Sequence, residues 1–285
     1  MTEYDNHAGV YAEINYVRNQ PAPGESPLTF VSEAEECSTM QTLPGREVLI
    51  RDSRGSGASL EREGFELFPH QSRVSALDNI ELDPEANAAY TEELCELAKA
   101  FSGATRVLAL GGAKQRFSES ATDRLAPLKN AKPARYPHAG NTDTSSAQQI
   151  AFFVEDLHGL KLAEFKRAAL YNLWRSLSPP PQDAPLAVCD ARSIEPADEV
   201  TITAITEVLG AGEVRHDTTS YRYNPAHRWH YFPNMTPAEV LVFKTHDTDP
   251  GQPRRVAHTA FDNPECPSGT HPRASAEVRL LALFD

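Results

Sequence analysis

Apolar and polar residues alternate along many short segments of this chain, and the alternation predicts β-strands separated by turns. In the first hundred residues, strands are predicted in YAEINYV, EVLIRDSR and GFELFPHQSRV. A helical pattern with an acidic first turn covers DPEANAAYTEELCELAKAFSG and stops at Gly103, and RVLALGG follows as a short buried strand. Residues 1–113 are therefore predicted to form a mixed α/β lead-in.

The rest of the chain is predicted to be mainly β. SSAQQIAFFVEDLHG and LAEFKRAAL have the spacing of helices, whereas residues 114–135 show no regular pattern. From LYNLWRSL onward, strands are predicted in PLAVCDA, VTITAI, RWHYF, EVLVFKTHD, RRVAHTAF and ASAEVRLLALF. Many short strands joined by Pro, Gly and Asp turns are typical of a barrel or jelly roll. We expect an α/β protein with a mostly β core, in which residues 1–285 form one domain, the lead-in packs on the core and helices buttress one face.

Composition narrows the class of partner. The formal net charge of −13 over 285 residues argues against binding to a nucleic-acid polymer or an anionic membrane. No apolar run approaches the roughly 20 residues of a membrane span, and no signal peptide is expected. The four cysteines are scattered without CxxC pairs, which predicts reduced thiols. We therefore expect a cytoplasmic protein that acts on a small molecule.

Two of the ten histidines stand in sequence contexts that favour metal binding. His138 lies in RYPHAGNTDT, among turn-forming residues, and His258 lies in RRVAHTAFDNP, in a predicted strand closed by Asp-Asn-Pro. Imidazole is a common ligand of iron and of other transition metals. These two residues are the candidate metal ligands.

A charged strand face follows the second histidine. Arg273 comes fifteen residues after His258 and begins an Arg-x-Ser pattern with Ser275. On a strand these residues share a face with Glu277 and Arg279, because side chains alternate. A guanidinium beside a hydroxyl is suited to holding a carboxylate. The alternative is a charged face that contacts water.

Longer stretches resemble a known family. ALYNLWRSLSPPPQDAPLAVCDARSIEPADEV, YNPAHRWHYFPNMTPAEVLVFKTHDTDPGQPRRVAHTAFDNP and PRASAEVR resemble the fungal and bacterial non-haem iron enzymes related to gibberellin desaturase, the cephamycin methoxylation protein and the meroterpenoid endoperoxidase. INYV, VLIRDSR and EREGFELFPHQSRV are similar to the same family. The resemblance implies a double-stranded β-helix (a cupin-like jelly roll) and a reaction that uses Fe(II), 2-oxoglutarate and O2. It also implies iron ligation by His138 and His258 and 2-oxoglutarate binding by Arg273 and Ser275, with Arg279 as a substitute or helper.

The resemblance marks further positions for which a core role and a pocket role both remain open. These are Asn172, Trp174, Arg175, Arg228, Trp229, Tyr231 and Lys244.

Position 140 departs from the pattern of the family, which is His-x-Asp. The Asp carboxylate completes a facial triad on iron, whereas Gly140 has no side chain that can coordinate a metal. A divalent iron that lacks this anion favours another one, such as chloride, and iron halogenases have this arrangement. The main hypothesis is therefore a halogenase that chlorinates an unactivated sp3 carbon in natural-product or antibiotic biosynthesis. Two alternatives remain: a hydroxylase or desaturase that uses Asp143 as third ligand, and a metal-free small-molecule-binding pseudoenzyme.

The substrate is expected to be anionic because basic residues cluster just before the first histidine. The cluster, set against Glu119 and Asp123, consists of Lys114, Arg116, Arg124, Lys129, Lys132 and Arg135. The alternative is a solvated loop. If the cluster binds phosphate, a deoxyadenosine nucleotide chlorinated on its sugar is the most specific hypothesis. The predicted substrate-binding residues are Lys132, Arg135, Tyr136, Asn172, Trp174, Arg175, Trp229 and Tyr231.

Overall fold

A computed structural model gives the fold as two open β-sheets that pack face to face, with helices packed against them. It describes residues 9–19, 21, 24–31, 37–75, 77–121, 128, 131–208 and 212–285.

The regular elements are mostly short strands, as the alternating pattern predicts. In chain order the strands are β1 (Gly9–Ile14), β2 (Leu28–Val31), β3 (Arg46–Asp52), β4 (Phe65–Pro69), β5 (Arg106–Ala109), β6 (Lys114–Phe117), β7 (His138–Ala139), β8 (Arg167–Ser176), β9 (Leu186–Cys189), β10 (Glu199–Val208), β11 (Gly212–Tyr221), β12 (Trp229–Tyr231), β13 (Glu239–Asp247), β14 (His258–Ala260) and β15 (Ala274–Phe284). The α-helices are α1 (Pro84–Ser102) and α2 (Asp143–Ala151), and α2 continues into a π-helical turn at Phe152–Leu157. Short 3-10 helices cover Leu77–Asn79, Leu162–Glu164, Ala191–Ser193 and Pro196–Asp198.

The strands form one sheet of nine and one of six. The nine-stranded sheet has the order β1-β3-β12-β9-β14-β7-β11-β10-β2, and the six-stranded sheet has the order β4-β13-β8-β15-β5, with β6 also paired to β15. Two pairs are parallel, β12 with β3 and β10 with β2. This arrangement confirms the predicted mostly β core of jelly-roll type.

The space between the two sheets is defined by apolar residues from both. Val188 of β9 packs in one cluster with Leu241 and Phe243 of β13. We call the sheet faces that meet here the inner faces. Because side chains alternate along a strand, Cys189 lies on the outer face of the nine-stranded sheet, where it packs with Trp229.

Helix α1 covers the outer face of the six-stranded sheet. Its Tyr90 and Leu94 pack against Leu173 of β8 and Val278 of β15. Asp83 caps its amino terminus, and the helix ends at a glycine with a positive φ of 67°. The predicted helix is thus confirmed, and within the described residues no helix is long and apolar enough to cross a membrane.

The segment LAEFKRAAL does not form the predicted helix; it leads into a strand. Only Leu162–Glu164 forms a turn of 3-10 helix, and β8 begins at Arg167. Strand β8 pairs with β13 on one side and β15 on the other. The ladder hydrogen bonds on both sides override a weak local preference for helix.

Candidate active site between the two sheets

Two short strands bring the candidate histidines together. His138 on β7 and His258 on β14 are directly opposite in an antiparallel pair, and their ring centroids are 4.3 Å apart. His258 is also opposite Val188. Residues opposite each other in a sheet point to the same face, so both imidazoles lie on the inner face.

The two histidines have the same hydrogen bond, which fixes their tautomer. His138 Nδ1 contacts the Tyr136 carbonyl at 3.2 Å, and His258 Nδ1 contacts the Val256 carbonyl at 3.2 Å. A carbonyl only accepts, so each Nδ1 carries the proton and each Nε2 keeps a lone pair. Burial lowers the pKa of His138 to about 4 and the pKa of His258 well below its ordinary value. Both rings are neutral at neutral pH, which is the form that binds metals.

The pair fits a transition metal as two ligands of an incomplete set. Each Nε2 is free to coordinate, while Nδ1 is held by the backbone, as in ordinary metal-binding histidines. Within the part of the chain that the structure describes, no group of three His, Cys, Asp or Glu side chains is arranged to hold a metal ion. Among the described residues, His138 and His258 are thus a pair without a third metal-binding side chain beside them.

Gly140 leaves open space beside the first histidine. A Cβ atom built on this residue has no heavy atom of the described residues within 4 Å, and its φ does not lie in the positive range that favours glycine. Neither tight packing nor backbone conformation thus requires glycine here. The absence of a side chain at position 140 calls for a chemical explanation.

The structure does not bring Asp143, the third ligand in the hydroxylase hypothesis, to the histidine pair. Asp143 is the first residue of α2, and its carboxylate contacts Arg254 Nη1 at 2.6 Å, Arg255 Nη2, and His246 Nδ1 at 3.6 Å. Thr142 caps the same helix and holds its first turn. Two guanidinium groups therefore neutralise this carboxylate away from the histidine pair.

Arg273 is a buried cation that lacks an anionic partner. Its Nε and Nη2 donate to Ser275 Oγ at 3.3 and 3.2 Å, and its Nη1 donates to the Ala184 carbonyl at 2.9 Å. No carboxylate of the described residues lies within ion-pair distance. Burial and the charge of Arg135 lower the pKa of Arg273 to about 10, so the group stays charged at neutral pH. A guanidinium has five N–H donors; five minus these three leaves two for an incoming carboxylate.

Arg279, the other candidate for this role, already has an acidic neighbour. Arg279 is 47% exposed and lies 3.6 Å from Glu277, which Arg116 contacts at 3.2 Å. Asn172 donates to the same carboxylate at 3.1 Å. Although burial opposes ionisation, Arg116 and Arg279 lower the pKa of Glu277 to about 2. Arg273 is therefore the better candidate for a carboxylate ligand.

Three of the predicted substrate-binding residues lie away from this site. Trp229 and Tyr231 are on the outer face, where Trp229 Nε1 donates to Tyr16 Oη at 2.7 Å and Tyr231 packs edge-on against Phe261. Arg175 is adjacent to Trp174 in β8 and therefore points to the opposite face, towards α1. Alternation in β12 and β8 turns these three predicted substrate-binding residues outward, so the structure does not bring them to the histidine pair.

Trp174, Asn172 and Tyr136 remain in the site. Trp174 and Asn172 lie on the inner face of β8, and Trp174 packs in the inter-sheet cluster. The Tyr136 ring is 5.4 Å from the His138 ring.

Of the other two marked positions, Arg228 binds Asp190 and Lys244 binds Asp247, so both have structural partners.

His230 is an inner-face residue that the sequence did not mark. It lies between two outward residues of β12 and opposite Val188. Its Nδ1 contacts Ser53 Oγ at 2.7 Å, its buried Nε2 has no hydrogen-bond partner among the described residues, and burial lowers its pKa to about 4. Alternation within Trp-His-Tyr was the only signal that pointed to it.

The basic cluster does not form one continuous anion-binding surface. Lys114 pairs with Glu81 at 2.8 Å, and Arg135 pairs with Glu119 and with Asp262 at 2.6 and 2.9 Å. Lys132 is exposed, and positions 124 and 129 lie outside the described residues. Arg135 lines a polar cavity of about 460 Å³. Arg116 is the member of the cluster that reaches the inner face.

Arg175 is expected to act on stability and not on the reaction. Its guanidinium donates to Tyr90 Oη at 2.8 Å and to the carbonyls of His70 and Pro237. Arg175→Met leaves these acceptors unsatisfied, so the free energy of unfolding should fall by about 3 kcal/mol. Urea unfolding measures this change, and exposed Arg215→Met is the control that should leave the midpoint unchanged. If the Arg175→Met protein remained stable but bound 2-oxoglutarate more weakly, Arg175 would be a residue of the site and not only a structural residue.

Comparison with known proteins gives a consistent set of relatives. Residues 14–283 match the family described as "Oxidoreductase/YMDC permease-like domain". The hydroxylase/desaturase efuI of Hormonema carpetanum is 30% identical, with 100% of this chain and 98% of that protein covered. The gibberellin cluster GA4 desaturase of Gibberella fujikuroi is 26% identical, with 96% of each covered.

The fold is also that of a solved iron enzyme. The iron and alpha-ketoglutarate-dependent endoperoxidase NvfI superposes with a TM-score of 0.81 at 23% identity, over 97% of each chain. By sequence, the Fe(II)/2-oxoglutarate-dependent dioxygenase nvfI of Aspergillus novofumigatus is 25% identical over 97% of this chain and 92% of that protein. Both comparisons span nearly the whole chain.

Proposed function

Since this chain belongs to the oxidoreductase family that contains the fungal hydroxylase/desaturases, we propose that it oxidises an unactivated sp3 carbon of a free small molecule, using Fe(II), 2-oxoglutarate and O2. The proposal rests on a pair of neutral imidazoles on one inner face and, on the other, a buried guanidinium that has no carboxylate partner among the described residues. The imidazoles are suited to iron, and the guanidinium is suited to the distal carboxylate of 2-oxoglutarate.

The side chains of the site have separate roles in this reaction. Iron, when bound with 2-oxoglutarate and O2, would supply the oxidising chemistry. His138 and His258 would hold the metal through Nε2, while their backbone hydrogen bonds keep the rings oriented. Phe243 packs on the His258 ring, with centroids 4.6 Å apart, and shields it from water. Arg273, oriented by Ser275, holds the far end of 2-oxoglutarate.

Hydroxylation or desaturation is the first candidate outcome. Similarity to two relatives, the hydroxylase/desaturase efuI and the gibberellin cluster GA4 desaturase, supports it. The assignment of Asp143 as third ligand is not part of this proposal.

Halogenation is the second candidate outcome, and the open space at Gly140 favours it. Position 140 has room for a Cβ atom among the described residues and no backbone reason to be glycine. Chloride bound in that position would replace the charge of the missing carboxylate. A halide held there would be available to the substrate in place of hydroxyl.

The substrate is proposed to be anionic. Arg116 and Arg279 share a single carboxylate, Glu277, on the inner face, so this part of the site carries excess positive charge. Trp174 and Tyr136 supply aromatic surface nearby. A nucleotide remains the specific substrate proposal, with Trp229 and Tyr231 no longer among its contacts.

One experiment separates these functions. The purified protein is loaded with Fe(II) and supplied with 2-oxoglutarate and a panel of nucleotides, nucleosides and terpenoids, in chloride buffer and in acetate buffer. We expect 2-oxoglutarate consumption in both buffers and a substrate product read by mass spectrometry. Loss of two hydrogens or gain of oxygen in both buffers identifies a desaturase or hydroxylase, and gain of chlorine only with chloride identifies a halogenase. No consumption of 2-oxoglutarate with any compound would contradict the proposal and favour the metal-free binding protein.

A further inference from the structure

A largely apolar cavity of about 250 Å³ lies beside helix α2. It is lined by Ala147 and Ile150 of α2 and by Leu162, Phe165 and Ala168, which lie before and at the start of β8. None of the described residues that line this cavity belongs to the candidate active site. An apolar cavity of about 150 Å³ holds benzene, so this one suits a molecule of on the order of ten non-hydrogen atoms. We call it the α2 cavity.

The helix beside the α2 cavity is irregular. Helix α2 ends at Ala151 and continues directly into a π-helical turn at Phe152–Leu157. Such turns are rare and are frequently found at functional sites. The segment that contributes Ile150 to the cavity therefore has an irregularity that often accompanies function.

One buried polar group of the α2 cavity has no partner in the protein. His246 lines the cavity and is 8% exposed, and its buried Nδ1 has no hydrogen-bond partner among the described residues. The Asp143 carboxylate lies 3.6 Å from this atom, which is too long for a hydrogen bond, and it is neutralised by Arg254 and Arg255. Unsatisfied buried polar atoms are costly and rare in native proteins. An occupant of the cavity that carries a hydrogen-bonding group would satisfy His246.

The charges around the α2 cavity favour an anion. Lys166 lines it, is exposed, and has no carboxylate within ion-pair distance among the described residues. Arg167 also lines it, and its partner Asp247 is shared with Lys244, so two cations meet a single carboxylate. Burial lowers the pKa of His246, so its ring is neutral at neutral pH and can donate one N–H to a carboxylate oxygen.

We propose that the α2 cavity is a binding site for a small apolar carboxylic acid of about ten non-hydrogen atoms, such as a medium-chain fatty acid. The apolar body of the acid lies against Ile150 and Phe165, and its carboxylate is held by His246 and Lys166. This site is separate from the candidate iron site and does not depend on the proposed function.

Calorimetry with octanoate tests whether the cavity is the site. The wild-type protein is expected to bind one octanoate. Ala147 lines the cavity and is exposed, so Ala147→Trp puts an indole at its mouth and should raise the Kd for octanoate about tenfold or more. Gln148→Trp adds the same side chain at the next exposed position of α2, which does not line the cavity, and should leave the Kd unchanged. Equal octanoate binding by the two variants overturns the inference.

Lys166→Gln tests the preference for an acid. The variant removes a charge at an exposed position, so the Kd for octanoate should rise about threefold, as for an exposed ion pair, whereas the Kd for octanol should not change. Lys161→Gln is the control, because Lys161 is 83% exposed and lies outside the lining. If octanoate and octanol bound equally well and Lys166→Gln changed neither, the assignment to a carboxylic acid would be wrong.

Hydrogen exchange on the wild-type protein locates the site without any variant. Octanoate should slow amide exchange in residues 143–151 and 162–168 and should leave helix α1 unchanged. Protection confined to other segments, or no binding of octanoate, overturns the inference. None of these measurements uses iron or 2-oxoglutarate, so either result leaves the proposed function untouched.

Discussion

Replacing His138 or His258 with alanine is expected to abolish Fe(II) binding and, with it, all consumption of 2-oxoglutarate. The two rings are 4.3 Å apart, and no third metal-binding side chain joins them within the described residues. Loss of one ring leaves a single protein ligand, and one imidazole does not hold a divalent iron at micromolar concentration. Equilibrium dialysis of Fe(II) under anaerobic conditions measures the effect directly.

The control for this prediction is an exposed histidine. His158→Ala changes a side chain that lies at the surface, so its Fe(II) affinity and turnover should equal those of the wild type. Circular dichroism shows whether each variant is folded. If a folded His138→Ala or His258→Ala protein retained normal Fe(II) binding, the metal centre would have to be sought elsewhere.

Gly140→Asp is expected to raise Fe(II) affinity about tenfold or more and to remove any effect of chloride on the reaction. The Cβ of the new side chain meets no heavy atom of the described residues within 4 Å, and the backbone at position 140 is permissive. A carboxylate in that space adds an anionic ligand to the two imidazoles and completes a facial set. Chelator competition measures the Fe(II) affinity, and mass spectrometry of products in chloride and acetate buffers measures the halide effect.

Gly140→Ala is the matched control because it adds the Cβ without the carboxylate. It should keep the wild-type Fe(II) affinity and the wild-type response to chloride. An Asp variant that behaves like the Ala variant would mean that position 140 does not face the metal. In that case the open space beside Gly140 belongs to substrate and not to a ligand of iron.

The sequence predicts the β character well because alternation is a local property. The boundaries of α1 follow from Asp83 and Gly103, which act within one turn of the helix ends. The segment before β8 is different, because Ala168 and Leu170 become strand residues only through neighbours more than 70 positions away. The preference of a local sequence for helix or strand carries no information about pairing between residues so far apart.

The sequence predicts which strands carry the site residues, but not which face of each strand is turned inward. Alternation shows that Trp174 and Arg175 face opposite ways, but not which of them faces the other sheet. Helix α1 determines this, because its Tyr90 Oη accepts a hydrogen bond from Arg175 Nε and holds Arg175 on the outer face. In the same way, Trp229 and Tyr231 were expected in the pocket, whereas His230 between them is the inward residue.

Charge partners are equally hidden from the sequence. Lys114 and Arg135 form part of a basic cluster in the chain, but Glu81 and Asp262 neutralise them in space. These acids lie 33 and 127 positions away from their partners, as the residue numbers show. A local excess of basic residues therefore overstates the positive surface that a substrate meets.

The pairing of β7 with β14 also has a consequence for folding. His138 and His258 are 120 positions apart, and they lie on strands of only two and three residues. Closing such a long loop is slow and entropically costly, and two such short strands gain little from their own pairing. The pair is therefore expected to form late, once β9 and β11, which flank it, are in register. A metal that binds both imidazoles of the completed pair, and binds the unfolded chain weakly, would stabilise the native topology.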